Sequence, residues 1–424
     1  MPSLLDARPL PKSDPASAVH TESALVPPAK AAIGRRVAVL AVHHVQVGDR
    51  IFTGGAEKYI QTVVGALLDT GASVHVGYSG TSIYDALEKR CDSDRLTVER
   101  TGWLNETLGG DGSLTWSVLR SRRGWLRATG ADTIFAVQQA SGAAFSASLL
   151  AARLGGMRVV QSIRQSPEPM PVAGARRWLG VLPAPQFWKR RMRRRYRFPA
   201  ACCHAVIFNS RRVAEAFERD YGFSRRRSRV IPNGELIRDE AFRPSPGSRP
   251  RIGSVGRVTH AKGADLLMDA FAIIAGRHPG AALTYFGDGD LIPGLSAHAR
   301  AMGLAERVRF AGYVASRDAI YRSIDICVQL SRRESMSNSV VEAQARGIPC
   351  IVTEVGGLPE TVEDGLTGYV VPRDHARACA EAICGLLASP ERYEQFSRNA
   401  ATRARREFDL ATLMRKTVST ILGI

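Results

Sequence analysis

Short apolar runs alternate with helical patterns from Arg35 onward, and the alternation restarts once partway along the chain. No other feature constrains the fold as strongly, because strands separated by helices build βαβ units and hence a parallel sheet. In the first half, Arg36–Val42 reads as a strand and is followed by the loop Phe52-Thr-Gly-Gly-Ala-Glu57. Ile60, Val63, Val64, Leu67 and Leu68 then recur on one face of a helix that Gly71 ends. Further strands are expected at Ser73–Gly77, Ala131–Val137 and Met157–Ile163, the last two joined by an Ala- and Leu-rich helix. The pattern restarts after Phe242-Arg-Pro-Ser-Pro-Gly-Ser-Arg-Pro250, which reads as a linker. Strands follow at Arg251–Val255, Ala282–Phe286, Val308–Phe310, Ile324–Leu330, Pro349–Val352 and Gly368–Val371. The helix after Gly263 would bury Leu266, Leu267, Ala270, Phe271 and Ile274.

The expected fold is therefore α/β, with two Rossmann-like doubly wound domains facing each other across a cleft. The first domain spans 34–245 and the second 246–407, and a C-terminal helix, 408–424, packs back on the first. Residues 1–33 hold too little apolar surface to fold and read as a disordered tail. Ligands of such sheets sit beyond the carboxyl ends of the strands.

A chain of 424 residues is long enough to bury two cores. No run approaches the roughly 18 consecutive apolar residues of a membrane-spanning helix, and the first residues lack a signal-peptide core. The seven cysteines include no Cys-x-x-Cys pair, and the adjacent Cys202 and Cys203 suit neither a disulfide nor a zinc site. The chain accordingly reads as cytoplasmic.

Three clusters in the second half would line one crevice. In Val255-Gly-Arg-Val-Thr-His-Ala-Lys-Gly263, Arg257 and Lys262 flank a turn into a helix, and two cations at a helix N-terminus suit a diphosphate. In Glu334-Ser-Met-Ser-Asn-Ser-Val-Val-Glu342, Ser337 or Asn338 would cap a helix whose free N–H groups face the strand ends. Glu342, on its second turn, would reach a diol such as ribose, and Glu334 would lie nearer the sugar. Val355-Gly-Gly-Leu-Pro-Glu360 is a glycine turn opening a further short helix.

These motifs, in this order, resemble the donor domain of the family 4 glycosyltransferases, the retaining enzymes of GT-B fold. The resemblance rests on the glutamates at 334 and 342, the Val-Gly-Arg…Lys-Gly element and the Gly-Gly-Leu-Pro-Glu turn. It extends upstream through Ile231-Pro-Asn-Gly234, Phe208-Asn-Ser210 and Gly54-Gly-Ala-Glu57, and so over most of the chain after Ile33. It implies a hexosyltransferase whose donor is a nucleotide-diphosphate-sugar and whose acceptor is a glycan or a lipid-linked acceptor of cell-surface polysaccharide or glycolipid synthesis. Arg257, Lys262 and Glu334 would carry catalysis, the two cations neutralising the departing nucleoside diphosphate and Glu334 holding sugar hydroxyls. Glu342 would bind the ribose, and the backbone of Ser337, Asn338, Ser339 and Val340 the distal phosphate. Gly287, Asp288 and Tyr313 would lie near the nucleoside. On the acceptor side would stand Gly54 and Gly55, with His43 and His44 at the end of the first strand. No metal is expected: Asp288-Gly-Asp290 and Asp92-Ser-Asp94 match a metal-binding tripeptide that is frequent by chance. Relatives often carry histidines where this chain has Gln138 and Arg164.

The net charge of +18 is unevenly spread, with nine basic and no acidic residues between Arg176 and Arg197. Trp188, Met192 and Tyr196 recur every four residues between Pro185 and Pro199, and would form the apolar stripe of an interfacial helix. Lys189–Arg197 would then carry the chain to an anionic membrane surface, as a peripheral protein. No nucleic-acid module is present, so nucleic acid is not an expected partner. Two other classes share the architecture: sugar-nucleotide epimerases, and nucleotide-sugar-binding or scaffold proteins with weakened activity.

Overall fold

A computed structural model describes residue 26 and residues 32–41, 46, 47, 50, 51, 55–78, 94–101, 116–138, 143–167, 193, 196–237 and 242–424. The chain divides into two units, one of Ser23–Pro232 with Ala411–Ile424 and the other containing Asn233–Leu410.

The amino-terminal unit is built on β1 (Arg36–Ala41), the short antiparallel pair β2 (Gln46–Val47) and β3 (Arg50–Ile51), α1 (Gly55–Asp69), β4 (Ser73–Tyr78), β5 (Leu96–Arg100) and α2 (Trp116–Thr129). It continues with β6 (Thr133–Gln138), α3 (Ala143–Leu154), β7 (Arg158–Ile163), β8 (Ala205–Phe208), α4 (Arg211–Tyr221) and β9 (Ser228–Val230). Seven strands form a parallel sheet in the order β5-β4-β1-β6-β7-β8-β9. Val37–Ala41 of β1 is buried throughout, as a central strand covered on both faces requires. Ile60, Val63, Val64, Leu67 and Leu68 of α1 are all buried. β5, β8, β9 and α2 do not stand out in the sequence. β5 and β9 are edge strands with mostly polar, mostly exposed residues, and β8 is only four residues long.

The carboxy-terminal unit runs through β10 (Arg251–Val255), α5 (Ala264–Arg277), β11 (Ala282–Phe286), α6 (Ile292–Ala301), β12 (Val308–Gly312), α7 (Arg317–Arg322) and β13 (Ile326–Gln329). Then come α8 (Asn338–Gln344), β14 (Cys350–Thr353), α9 (Leu358–Thr361), β15 (Gly368–Val371), α10 (Ala376–Leu387) and α11 (Pro390–Glu407). Its six parallel strands are ordered β12-β11-β10-β13-β14-β15. The chain thus builds outward from β10 in one direction, then returns to build outward in the other. Leu266, Leu267, Ala270, Phe271 and Ile274 of α5 fill the core against this sheet. The Pro-rich stretch 242–250 belongs to this unit, where the Arg243 guanidinium donates to the carbonyls of Arg346 and Tyr321.

The last helix, α12 (Leu410–Leu422), lies with the amino-terminal unit from Ala411 onward. Arg158 of β7 donates to its final carbonyls, at 2.9 Å to Ile421 and 3.0 Å to Thr420. Gly423, at φ +76°, leaves room for that guanidinium, which a Cβ would strike. The six described cysteines are buried and free, and no described helix is long and apolar enough to cross a membrane.

Candidate active site

Strand order reverses between β10 and β13, so their carboxyl ends open the crevice where doubly wound sheets take ligands. At the end of β10 Gly256 takes φ +142°, Arg257 is exposed, and a 3-10 turn at His260–Lys262 leads to Gly263. Gly263 has φ +69°, and a Cβ there would collide with the Leu330 carbonyl at the end of β13. Only glycine lets the turn come this close. The approach brings Lys262 Nζ to 2.5 Å from Glu334 Oε2, with the two side chains 25% and 13% exposed. The second carboxylate oxygen of Glu334 accepts from the Ser335 N–H at 3.2 Å. Among the described residues, Arg257 has no side-chain partner.

Arg332 holds this geometry. It donates to both carboxylate oxygens of Asp265 (2.7 and 2.8 Å), to Asp374 Oδ1 (2.6 Å) and to the His260 carbonyl (2.7 Å). Its backbone N–H adds a bond to the Ala261 carbonyl at 2.9 Å. The loop that carries Glu334 is thereby tied to the turn that carries Lys262. Partial burial opposes ionisation of Asp265, but the Arg332 hydrogen bonds and charge prevail and hold its carboxyl below the ordinary range. The hydrogen bond to Asp265 raises Arg332 further. Neither Arg332 nor its two aspartates stands out in the sequence, because their pairing exists only in the folded chain.

Beneath the start of α8 runs a buried polar chain. Gln329 Nε2 donates to Ser331 Oγ (2.8 Å), Ser339 Oγ to Gln329 Oε1 (3.4 Å), and Ser337 and Ser339 share a bond of 2.8 Å. Ser337 occupies the capping position, yet its hydroxyl makes no capping bond because it is turned to Ser339. Asn338 accepts from Asn233 Nδ2 at 2.5 Å, so Asn233 braces the helix start. Val340 is wholly buried.

Glu342 has a different set of neighbours. It is 7% exposed, and its carboxylate accepts from Tyr321 Oη at 2.9 Å and pairs with Arg317 at 3.3 Å. Arg317 also faces Glu235 at 3.9 Å, and Arg346 bridges Glu235 (3.5 Å) and Asp318 (3.1 Å). Burial, and then the adjoining Glu342 charge, push the Tyr321 phenol well above its ordinary value. The two glutamates of the motif therefore do different work, one at the Lys262 turn and one in a buried charge network.

Gly287 and Gly289 serve packing. A Cβ at Gly287 would strike the Gly256 carbonyl, and one at Gly289 the Val258 carbonyl. The Val258 N–H in turn donates to the Asp288 carbonyl at 2.9 Å. Tyr313, after β12, is 60% exposed at the same sheet end.

In the amino-terminal unit, His43, His44 and Gly54 lie outside the described residues, and Gly55 is the exposed first residue of α1. Gln138 ends β6. Arg164, just past β7, stacks 3.4 Å above the Tyr59 ring and donates to Ser162 Oγ at 3.0 Å. Of the basic segment, Lys189–Met192, Arg194 and Arg195 lie outside the described residues, while Arg193 and Arg197 are exposed. The interfacial stripe needs correction at Tyr196, which is buried against Phe217 and Tyr221 at ring distances of 5.5 and 4.8 Å. Its ring completes an aromatic cluster of the core and is not available to a membrane. Pro199 does not end the helix either, as residues 196–202 are helical through it.

Two family profiles match the chain, "Glycosyl transferases group 1" over residues 249–389 and "Glycosyltransferase Family 4" over 53–234. Alpha-D-kanosaminyltransferase of Streptomyces kanamyceticus is 28% identical over 320 residues, 71% of this chain and 79% of its own. Mannosylfructose-phosphate synthase of Agrobacterium fabrum is 32% identical over 185 residues, 38% of this chain but only 40% of its own length. Among solved structures, HepE of Anabaena in complex with UDP superposes with a TM-score of 0.69 at 20% identity, covering 92% of this chain and all of that one. HepE with UDP-glucose gives 0.68 at 21% identity, covering the same shares of each chain. These likenesses and the two doubly wound sheets give the fold as GT-B. The chain belongs to the family 4, or group 1, glycosyltransferases.

Proposed function

We propose that the protein transfers a sugar, with retention of anomeric configuration, from a nucleoside-diphosphate donor held by the carboxy-terminal unit. The observation that carries this reading is the Lys262–Glu334 pair at the strand reversal, with the exposed Arg257 just past the end of β10. Breaking the glycosyl–phosphate bond sends its electron pair to the diphosphate and leaves positive character on the sugar. Arg257 and Lys262 supply fixed positive charge for the leaving group. Glu334, freed from Lys262 on the phosphate's arrival, accepts hydroxyl protons of the sugar in hydrogen bonds. Glu342 contributes to the nucleoside side, where a ribose diol would compete with Tyr321 and Arg317 for its carboxylate. HepE, solved with UDP and UDP-glucose, supports a uridine donor. The acceptor in this reading is a glycan or a lipid-linked acceptor, and cell-surface polysaccharide or glycolipid synthesis is the setting it favours.

A thermal-shift panel of UDP-, GDP- and ADP-sugars, with and without EDTA, tests it. One donor should raise the melting temperature irrespective of EDTA, and Glu342→Ala should weaken that rise. A panel with no stabilising donor would contradict the reading.

A further inference from the structure

On helix α2, Trp116, Arg120, Arg123 and Arg127 follow one another at spacings of four, three and four residues. At 3.6 residues per turn they fall within about 60° of the helix circumference, in a row about 16 Å long. Trp116 is 83% exposed, and all three arginines are exposed. Among the described residues none of the three guanidiniums has a hydrogen-bond or ion-pair partner. The helix carries no acidic residue. Two acids of the same unit are engaged with other residues: Glu99 accepts from Trp125 and His75, and Asp132 is paired with Arg35.

The sides of α2 away from this row anchor it. Leu126 is buried, and Leu119 and Trp125 pack against the core. The helix that carries the basic row is therefore preformed, and only the arginine side chains have to be ordered on its use. A solvent-exposed indole is unfavourable in water but suits a lipid headgroup layer, where the ring meets apolar chains and the N–H finds acceptors. Guanidiniums pair with phosphate through two parallel hydrogen bonds.

We infer that this face of α2 is a docking surface for an anionic phospholipid bilayer, with Arg120, Arg123 and Arg127 on the phosphates and Trp116 entering the interface. A straight row of cations ending in one indole matches a plane of phosphates over an apolar layer. Single-stranded nucleic acid would call for aromatic platforms spaced along the row. The surface is built from residues of the amino-terminal unit alone, so the inference does not depend on the proposed reaction.

Co-sedimentation of the full chain with phosphatidylcholine vesicles, with and without phosphatidylglycerol, provides the test. Binding should require phosphatidylglycerol and weaken by about tenfold or more in R120E/R123E/R127E. R120Q/R123Q/R127Q should lie between the two, and W116S should weaken binding several-fold at unchanged salt dependence. Melting temperatures and donor-induced shifts near those of wild type would show the variants folded. Wild-type binding that survives in both triple variants, or no binding of wild type to anionic vesicles, would overturn the inference. So would arginine-dependent binding to a DNA oligonucleotide in place of the vesicles.

Discussion

Arg332 and Asp265, 67 positions apart in the chain, are joined by two parallel hydrogen bonds of 2.7 and 2.8 Å. The pair closes the loop bearing Glu334 onto the turn bearing Lys262. Replacing Arg332 by Gln leaves two carboxylates, Asp265 and Asp374, without their shared partner. Both acids are substantially solvated, so stability should fall by only about 1–2 kcal/mol in urea unfolding. Turnover should fall further than donor affinity, and in a Lys262→Ala background the same change should add little. A fully additive double mutant would show that Arg332 acts independently of Lys262.

The lowered pKa of Asp265 sets a direction for acid sensitivity. Its folded-state value lies below its ordinary 3.8, so the stabilisation is complete above that value and is lost as pH falls through the lower one. Asp132 behaves alike: burial opposes its ionisation, and hydrogen bonds from Thr133, Arg36 and Arg35 outweigh it. Urea midpoints measured down the acid range should decline for wild type below pH 4, and Arg332→Gln should show a shallower decline.

Gly263 should tolerate no side chain. Valine there would combine a left-handed φ of +69° with a collision against the Leu330 carbonyl, costing about 3 kcal/mol. Because the same glycine sets Lys262 beside Glu334, donor-induced stabilisation should disappear even at temperatures where the variant remains folded. Circular dichroism melts and donor titration measure both effects.

Tyr321→Phe removes the phenol that donates to the buried Glu342 carboxylate. A loss of about 1–2 kcal/mol is expected, with weaker donor binding through a looser Glu342. Glu342→Ala should cost more, since among the described residues Arg317 then keeps the more distant Glu235. Equilibrium unfolding of both variants separates this structural contribution from the effect on donor binding.

Much of the frame could be read from periodicity. The buried faces of α1 and α5 and the central strands are apolar in register with the sheet, so pattern and structure agree there. The edge strands β5 and β9 were illegible because solvent on one side allows polar residues. The Lys-Gly pair at 262–263 was visible as a motif, but its physical reason, a close approach to Leu330, exists only across the sheet. Arg332, Arg317 and Tyr321 gave no signal, because each acts through a partner distant in sequence. Tyr196 misled for the opposite reason: four-residue spacing with Trp188 and Met192 looks alike whether the ring meets lipid or, as here, the core.

Release of nucleoside diphosphate from sugar donors, followed continuously with a glycolipid extract as acceptor, tests the central claim most directly. One donor should give sustained release by wild type, and Lys262→Ala should lower kcat by about 10²–10³-fold at nearly unchanged melting temperature. Donor that binds but is never cleaved, or turnover indifferent to Lys262, would contradict the account.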